Sequence, residues 1–211
     1  MGTRSLTAVV LNGKYKVAQY AQYDGYPSGQ GAEALEFVQA ISNTDIRPDI
    51  REKFVAALEK VCFLSDDEIV KEQAQLGIKG QWLTEEMARV FYRRFPFFSR
   101  EHGAKILQMI FESDAEKIEL QNSIDFALDS LFCEWAYVID LDKNTFEVYK
   151  GFQRDAIPET DRFFESGYCK TSKSDTKYYP VRMVASWSFE DLPSEKDFIK
   201  KFRDQDEDED N

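Results

Sequence analysis

The chain opens on a change in its hydrophobic pattern. Ser5 to Leu11 is a near-continuous apolar run, SLTAVVL, followed by Asn12-Gly13. Asn-Gly supplies two neighbouring residues that tolerate positive φ, as a two-residue hairpin turn requires. Lys14 to Tyr23 then alternates, with Tyr15, Val17, Gln19, Ala21 and Tyr23 on one side and Lys16, Ala18, Tyr20 and Gln22 on the other. The pattern predicts a β-hairpin of Ser5–Leu11 with Lys14–Gln22. Asp24 to Gly31 holds three glycines and a proline, which predicts a structured turn rather than a strand or helix.

In the middle of the chain the period becomes helical. Ala32 to Ile41 predicts a helix starting directly after the glycine loop. Phe54, Ala57, Leu58, Val61 and Cys62 recur at helical spacing, which places Cys62 on an apolar helix face as a small core residue. Ser65 with Glu68, and Ser113 with Glu116, have the spacing of a capping box. Thr84 can cap a helix bearing Met87, Val90 and Phe91 that stops near Pro96, where the ring cannot continue a helix. Ile106, Leu107, Ile110 and Phe111 form another stripe. Residues 46–113 read as a helical insertion or layer.

Alternation returns at Trp135–Leu141 and Thr145–Tyr149, a second hairpin. It recurs over Tyr179–Phe189, which would put Val181, Met183, Ala185, Trp187 and Phe189 on one face. Ser194 caps a last helix with Phe198, Ile199 and Phe202. Hairpins towards both ends with helices between them predict an α+β fold. Its mainly antiparallel sheet joins the N- and C-terminal hairpins and is layered with helices, with residues 1–203 forming a single domain.

Charge and composition narrow the functional classes. The formal net charge is −12, the wrong sign for a general phosphate-backbone binder, so no nucleic-acid partner is expected. No stretch approaches the roughly 20 apolar residues of a membrane span, so no membrane partner is expected. Cys62, Cys133 and Cys169 are far apart and form no paired motif, which fits a reduced, cytoplasmic setting. Six of the eight residues 204–211 are Asp or Glu, and such a self-repelling tail is expected to be disordered.

Several chemistries fail on spacing. His102 is the single histidine, against HExxH-type zinc sites, and it reads as an exposed helix residue. Gly25, Gly29 and Gly31 have the wrong spacing for a nucleotide loop, so no cofactor is expected. Asp140, Asp142 and Asn144 alternate as in a calcium loop but lack its Gly and closing Glu, so no metal is expected. Tyr149, Phe152, Phe163, Phe164 and Tyr168 read as core.

What remains is the N-terminal constellation of Arg4, Gln22, Asp24, Tyr26 and Gln30 around the loop glycines. The hairpin brings Arg4 and Gln22 to one end of the sheet, where the loop begins. Arg4 and Asp24 would pair there by a charge-assisted bond, and the five residues would form a polar pocket beside the helix that starts near Ala32. The plainer reading is a tight turn shaped by Gly and Pro.

The segment Met1-Gly2-Thr3-Arg4, with Val17-Ala18-Gln19-Tyr20-x-Gln22-Tyr23-Asp24-Gly25-Tyr26-Pro27-x-Gly29-Gln30-Gly31, resembles an uncharacterised family of hypothetical proteins from fungi and phages. Glu134-Trp135-Ala136-Tyr137 is a second shared element. That resemblance implies no activity. A strand that opens the chain and pairs as a hairpin also resembles the start of N-terminal-nucleophile hydrolases. Loss of Met1 would leave Gly2, so this second resemblance implies an enzyme only after processing to Thr3, or an inactive relative. The leading expectation is a binding or interaction domain that uses the glycine-rich loop to hold a small molecule or a protein. The alternative is an amide hydrolase of the N-terminal-nucleophile type.

Overall fold

The computed structural model describes residues 2–43, 48–78, 84–164 and 178–209. Cys169 and Tyr168 lie outside these. β1 (Ser5–Leu11) and β2 (Lys14–Ala21) pair antiparallel, and β5 (Trp135–Asp140) and β6 (Thr145–Lys150) do the same. Asn12 and Gly13 both take positive φ, 55° and 68°, the conformation of a type I′ turn. The two hairpins form one five-stranded sheet in the order β2-β1-β5-β6-β7, with β7 spanning Arg182–Ser188. The fold is α+β, and three of the four strand pairings are antiparallel; the central pair, β1 with β5, is parallel. Every residue of β1 and of β5 is buried. The apolar runs at those positions therefore belong to a strand pair covered on both faces.

One face carries the helices. Val9, Leu11, Trp135, Ile139 and Phe146 pack with α1 (Ala32–Ser42), α2 (Pro48–Glu59), α5 (Lys105–Glu112) and α6 (Glu195–Glu209). Phe202 of α6 meets Trp135 edge to face, with ring centroids 5.5 Å apart. Ser194 accepts the Asp197 N–H at 3.2 Å and so caps α6 as expected. The helical backbone runs on to Glu209, past Asp204, where the sequence reading starts a disordered tail. Propagation of an existing helix fixes one residue per hydrogen bond gained. The opposite face is smaller. A 3₁₀ turn over Ile124–Leu128 and the segment 151–164 cover Leu6, Ala8, Val138 and Tyr149 there.

Residues 46–113 are not purely helical. β3 (Val61–Leu64) follows α2 and pairs in parallel with β4 (Ile118–Gln121) as a separate two-stranded sheet. Cys62 is therefore a strand residue, half-buried, with its thiol 3.7 Å from the Ile118 carbonyl. Its place in a helical stripe was a coincidence of spacing, because the chain leaves the helix at Lys60. α3 (Asp66–Gln75) has the capping box of Ser65 and Glu68, and Thr84 caps α4 (Glu85–Arg94). Ser113 instead ends α5, and its hydroxyl accepts from Ala115 in a turn; the second capping box does not form. A bulge that inserts Val184 into β7 also changes the predicted face. Ala185, Trp187 and Phe189 stay on the helical side, whereas Val181 enters the opposite core and Met183 is exposed.

Segment 151–164 is held on the sheet by a buried ionic cluster. Arg162 reaches Glu147 with two nitrogens, at 2.8 and 2.7 Å, and Asp140 at 2.5 Å. Tyr149 and Thr145 complete the coordination of Glu147 with hydroxyl bonds of 2.6 and 3.1 Å. Burial alone would raise both carboxyls, but the Arg162 hydrogen bonds outweigh it and hold Asp140 and Glu147 below the ordinary carboxylate range. The acids of the Asp140–Asn144 turn are thus structural. Asp140 binds Arg162, Asp142 accepts from the backbone of Asn12 and Gly13, and Asn144 accepts from Arg51.

Removal of Arg162 would leave Glu147 buried without its counter-charge, so Arg162→Met should cost about 3 kcal/mol in chemical denaturation near neutral pH. Carboxyls with depressed values stabilise the fold above their unfolded values and lose that effect as pH falls through the folded ones. The gap between wild type and variant should therefore narrow as pH drops below about 4. A gap that stays constant with pH would show that the cluster contributes packing alone.

Candidate functional site

The β2–α1 loop is fastened along its length. Gly25 donates to the Thr3 carbonyl at 2.9 Å, and the buried Tyr137 hydroxyl donates to the Gly25 carbonyl at 2.8 Å. Gln30 N–H donates to the Asp24 carbonyl at 2.9 Å. Pro27–Gly31 winds as one π-helical turn that runs straight into α1. Asp24 sits at φ 58°, a left-handed position that its short side chain tolerates. All three loop glycines are closely approached, Gly29 most tightly, where a Cβ would lie 2.4 Å from the Asp24 carbonyl oxygen. A Cβ on Gly25 would lie 2.8 Å from the Arg4 carbonyl carbon, and one on Gly31 would lie 2.8 Å from the Tyr137 ring.

The five predicted residues share this end of the sheet, and their bonds run to different partners. Arg4 does not pair with Asp24. Its Nε lies 3.4 Å from Glu134 Oε1, which also accepts the Arg4 backbone N–H at 3.1 Å. The parallel β1–β5 pairing sets Glu134 beside Arg4, and Glu134 N–H donates back to the Arg4 carbonyl at 3.2 Å. The Arg4 guanidinium also stacks 4.9 Å above the Phe132 ring. Gln22 accepts from the Tyr20 hydroxyl at 2.6 Å. Gln30 turns inward and is 8% exposed; its Oε1 accepts from Ala104 N–H at 2.5 Å. Asp24 and Tyr26 are exposed.

Thr3, the nucleophile implied by the hydrolase resemblance, is 7% exposed, and its carbonyl is held by Gly25. His102 lies in the turn before α5 rather than in its first turn, with Nε2 2.8 Å from the Pro96 carbonyl. Among the described residues no three His, Cys, Asp or Glu side chains group as a metal site.

The surface around the loop is aromatic. Ser5, Ala21, Trp135, Lys150 and Arg182 are aligned across the sheet and mark its loop end. Tyr23, Tyr26, Phe132, Phe152 and Met183 lie at or beside this row, and they make up five of the seven exposed large hydrophobic side chains among the described residues. Three of them have neighbours at this end that can be named. Tyr23 packs on Gly2, Phe132 lies under Arg4, and Phe152 N–H donates to Ser130 at 2.7 Å, in the turn that carries Phe132. Phe152 is not core: it is 52% exposed and holds a left-handed φ of 57°. A bulky residue rarely adopts that conformation without a compensating constraint. The hydrogen bonds of Gly151 to Glu134 and of Gln153 to Ser130, at 2.8 and 3.0 Å, supply it here.

No protein-family model matches the chain, and neither the curated proteins nor the solved structures give a match.

The loop packing has a direct consequence. Gly31→Ala should cost about 2 kcal/mol through overpacking against Tyr137, lowering Tm by about 4–8 °C. Asp24→Asn keeps a residue suited to left-handed backbone and should change stability by less than about 0.5 kcal/mol. A loss in Asp24→Asn as large as that in Gly31→Ala, by thermal denaturation, would show that the carboxylate holds the loop.

Proposed function

We propose that this protein is a non-catalytic interaction domain whose recognition surface is the loop end of the sheet. The observation that carries the reading is that Tyr23, Tyr26, Phe132, Phe152 and Met183 are exposed along that end of the sheet, with Arg4 over the Phe132 ring. Soluble domains rarely leave contiguous apolar surface in water unless something covers it. Aromatic residues, Met and Arg are also the types enriched at protein–protein contacts, so a protein is the favoured partner. The rigid backing suits that role. Gln30, Tyr137 and the Thr3 carbonyl hold the loop from beneath, so little ordering entropy is lost on binding. The wide spacing of Cys62, Cys133 and Cys169 favours a reduced, cytoplasmic setting.

The test is site-specific photocrosslinking in cells. A photoreactive residue at position 26 should join the protein to a defined protein partner, and Phe132→Asp should abolish the crosslink without changing Tm. The same probe at position 70, where Val70 is exposed on α3, should give none. Equal crosslinking from both positions, or none from position 26, would overturn the proposal.

A further inference from the structure

A cavity of about 250 Å³ lies along the outer edge of β2, with a lining distinct from the aromatic surface. The backbone of β2 and its neighbouring residues fix both walls. Gln22 N–H donates to the Arg100 carbonyl at 3.1 Å, and Gln19 Nε2 donates to the Ser99 carbonyl at 3.0 Å. Ser123 N–H donates to the Ala18 carbonyl at 3.0 Å on the other side. Tyr20 and Phe126 meet edge to face at 4.9 Å and, with buried Phe98, supply apolar walls.

The polar groups in this cavity are selective. Arg100 is the one charged residue of the lining, and it makes no ion pair or side-chain hydrogen bond with any described residue. Gln121 and Ser123 stand with it as neutral donors. Gln19 is 6% exposed, and both bonds of its amide use Nε2, to Tyr20 and Ser99. Its Oε1 receives no hydrogen bond from a described residue. In a chain of net charge −12, an exposed guanidinium with no ion-pair partner among the described residues, beside the Gln121 amide and the Ser123 hydroxyl and against aromatic walls, matches one ligand chemistry. An anionic head would bond to the fork of Arg100, and a flat apolar body would lie on the rings.

We infer that this cavity binds a small organic anion, a carboxylate or phosphate on a flat apolar body. Arg100 takes the charge, Gln121 and Ser123 add hydrogen bonds, and Gln19 Oε1 accepts an N–H or O–H of the ligand. The volume of about 250 Å³ lies below the roughly 300–1,000 Å³ of drug-sized sites, which suits a small ligand. This site stands independently of the interaction surface, and either can fail alone.

Protein-observed NMR titration with benzoate, phenyl phosphate and neutral benzamide tests it. Saturable shifts are expected at the Gln121 and Ser123 amides, with at least one anion binding about tenfold tighter than benzamide. The tighter of the two anions identifies the head group. Arg100→Gln, which keeps the backbone carbonyl bound by Gln22, should bring the anions to the level of benzamide and leave Tm unchanged. Gln121→Ala should weaken the preferred anion severalfold. Absence of saturable shifts at those amides, equal binding of all three probes, or unchanged anion binding in Arg100→Gln would overturn the inference.

Discussion

The parallel pairing of β1 with β5 is the constraint on which the rest of the molecule depends. Each strand belongs to an antiparallel hairpin, and joining the hairpins through a parallel pair puts their open ends on the same side. Ser5, where the chain enters the sheet, is therefore level with Ala21, Trp135 and Lys150. The β2–α1 loop, the 130–134 turn and the segment after β6 all leave the sheet at that level. An antiparallel central pair would have sent the second hairpin's open end to the far side and separated Arg4 from Glu134.

The two faces of the sheet have different supports. Helices α1, α2, α5 and α6 bury one face by ordinary apolar packing. The other is closed by a loop, which lacks a continuous apolar stripe, and there Arg162 fixes the loop to Glu147 and Asp140. A buried charge network of this kind adds less net stability than its bond count suggests, because each charge is desolvated. Its effect is to hold segment 151–164 in one place. Phe152, the second residue of that segment, is held at its left-handed φ by the neighbouring bonds of Gly151 and Gln153.

Where local chemistry determined structure, the sequence was legible. Asn12-Gly13, Ser65 with Glu68, Thr84 and Ser194 are short-range signals, and each acts within a few residues in the fold. Ser113 with Glu116 is a short-range signal that failed, because Ser113 ends α5 instead of starting a helix; other failures come from pairing and register. Cys62 fitted a helical stripe, but pairing with β4, more than fifty residues away, makes its segment a strand. Met183 and Val181 left their predicted face because of one inserted residue, Val184, which alternation cannot register. At the candidate site the sequence placed Arg4 and the loop at one end of the sheet, since the hairpin alone brings them together. It could not name Glu134 as the partner of Arg4, because that depends on the parallel pairing. Nor did it identify Phe152 as exposed; Gly151-Phe152 directly after a hairpin strand was the only hint of an unusual backbone.

The central claim is that the loop end of the sheet is where a protein partner docks. Hydrogen–deuterium exchange of the protein purified with its cellular partner, compared with the protein alone, tests this most directly. Slowed exchange is predicted in 22–31, 130–134 and 151–154, with α3 and α4 unchanged. Protection confined to α3 and α4, or no difference between bound and free protein, would contradict the account.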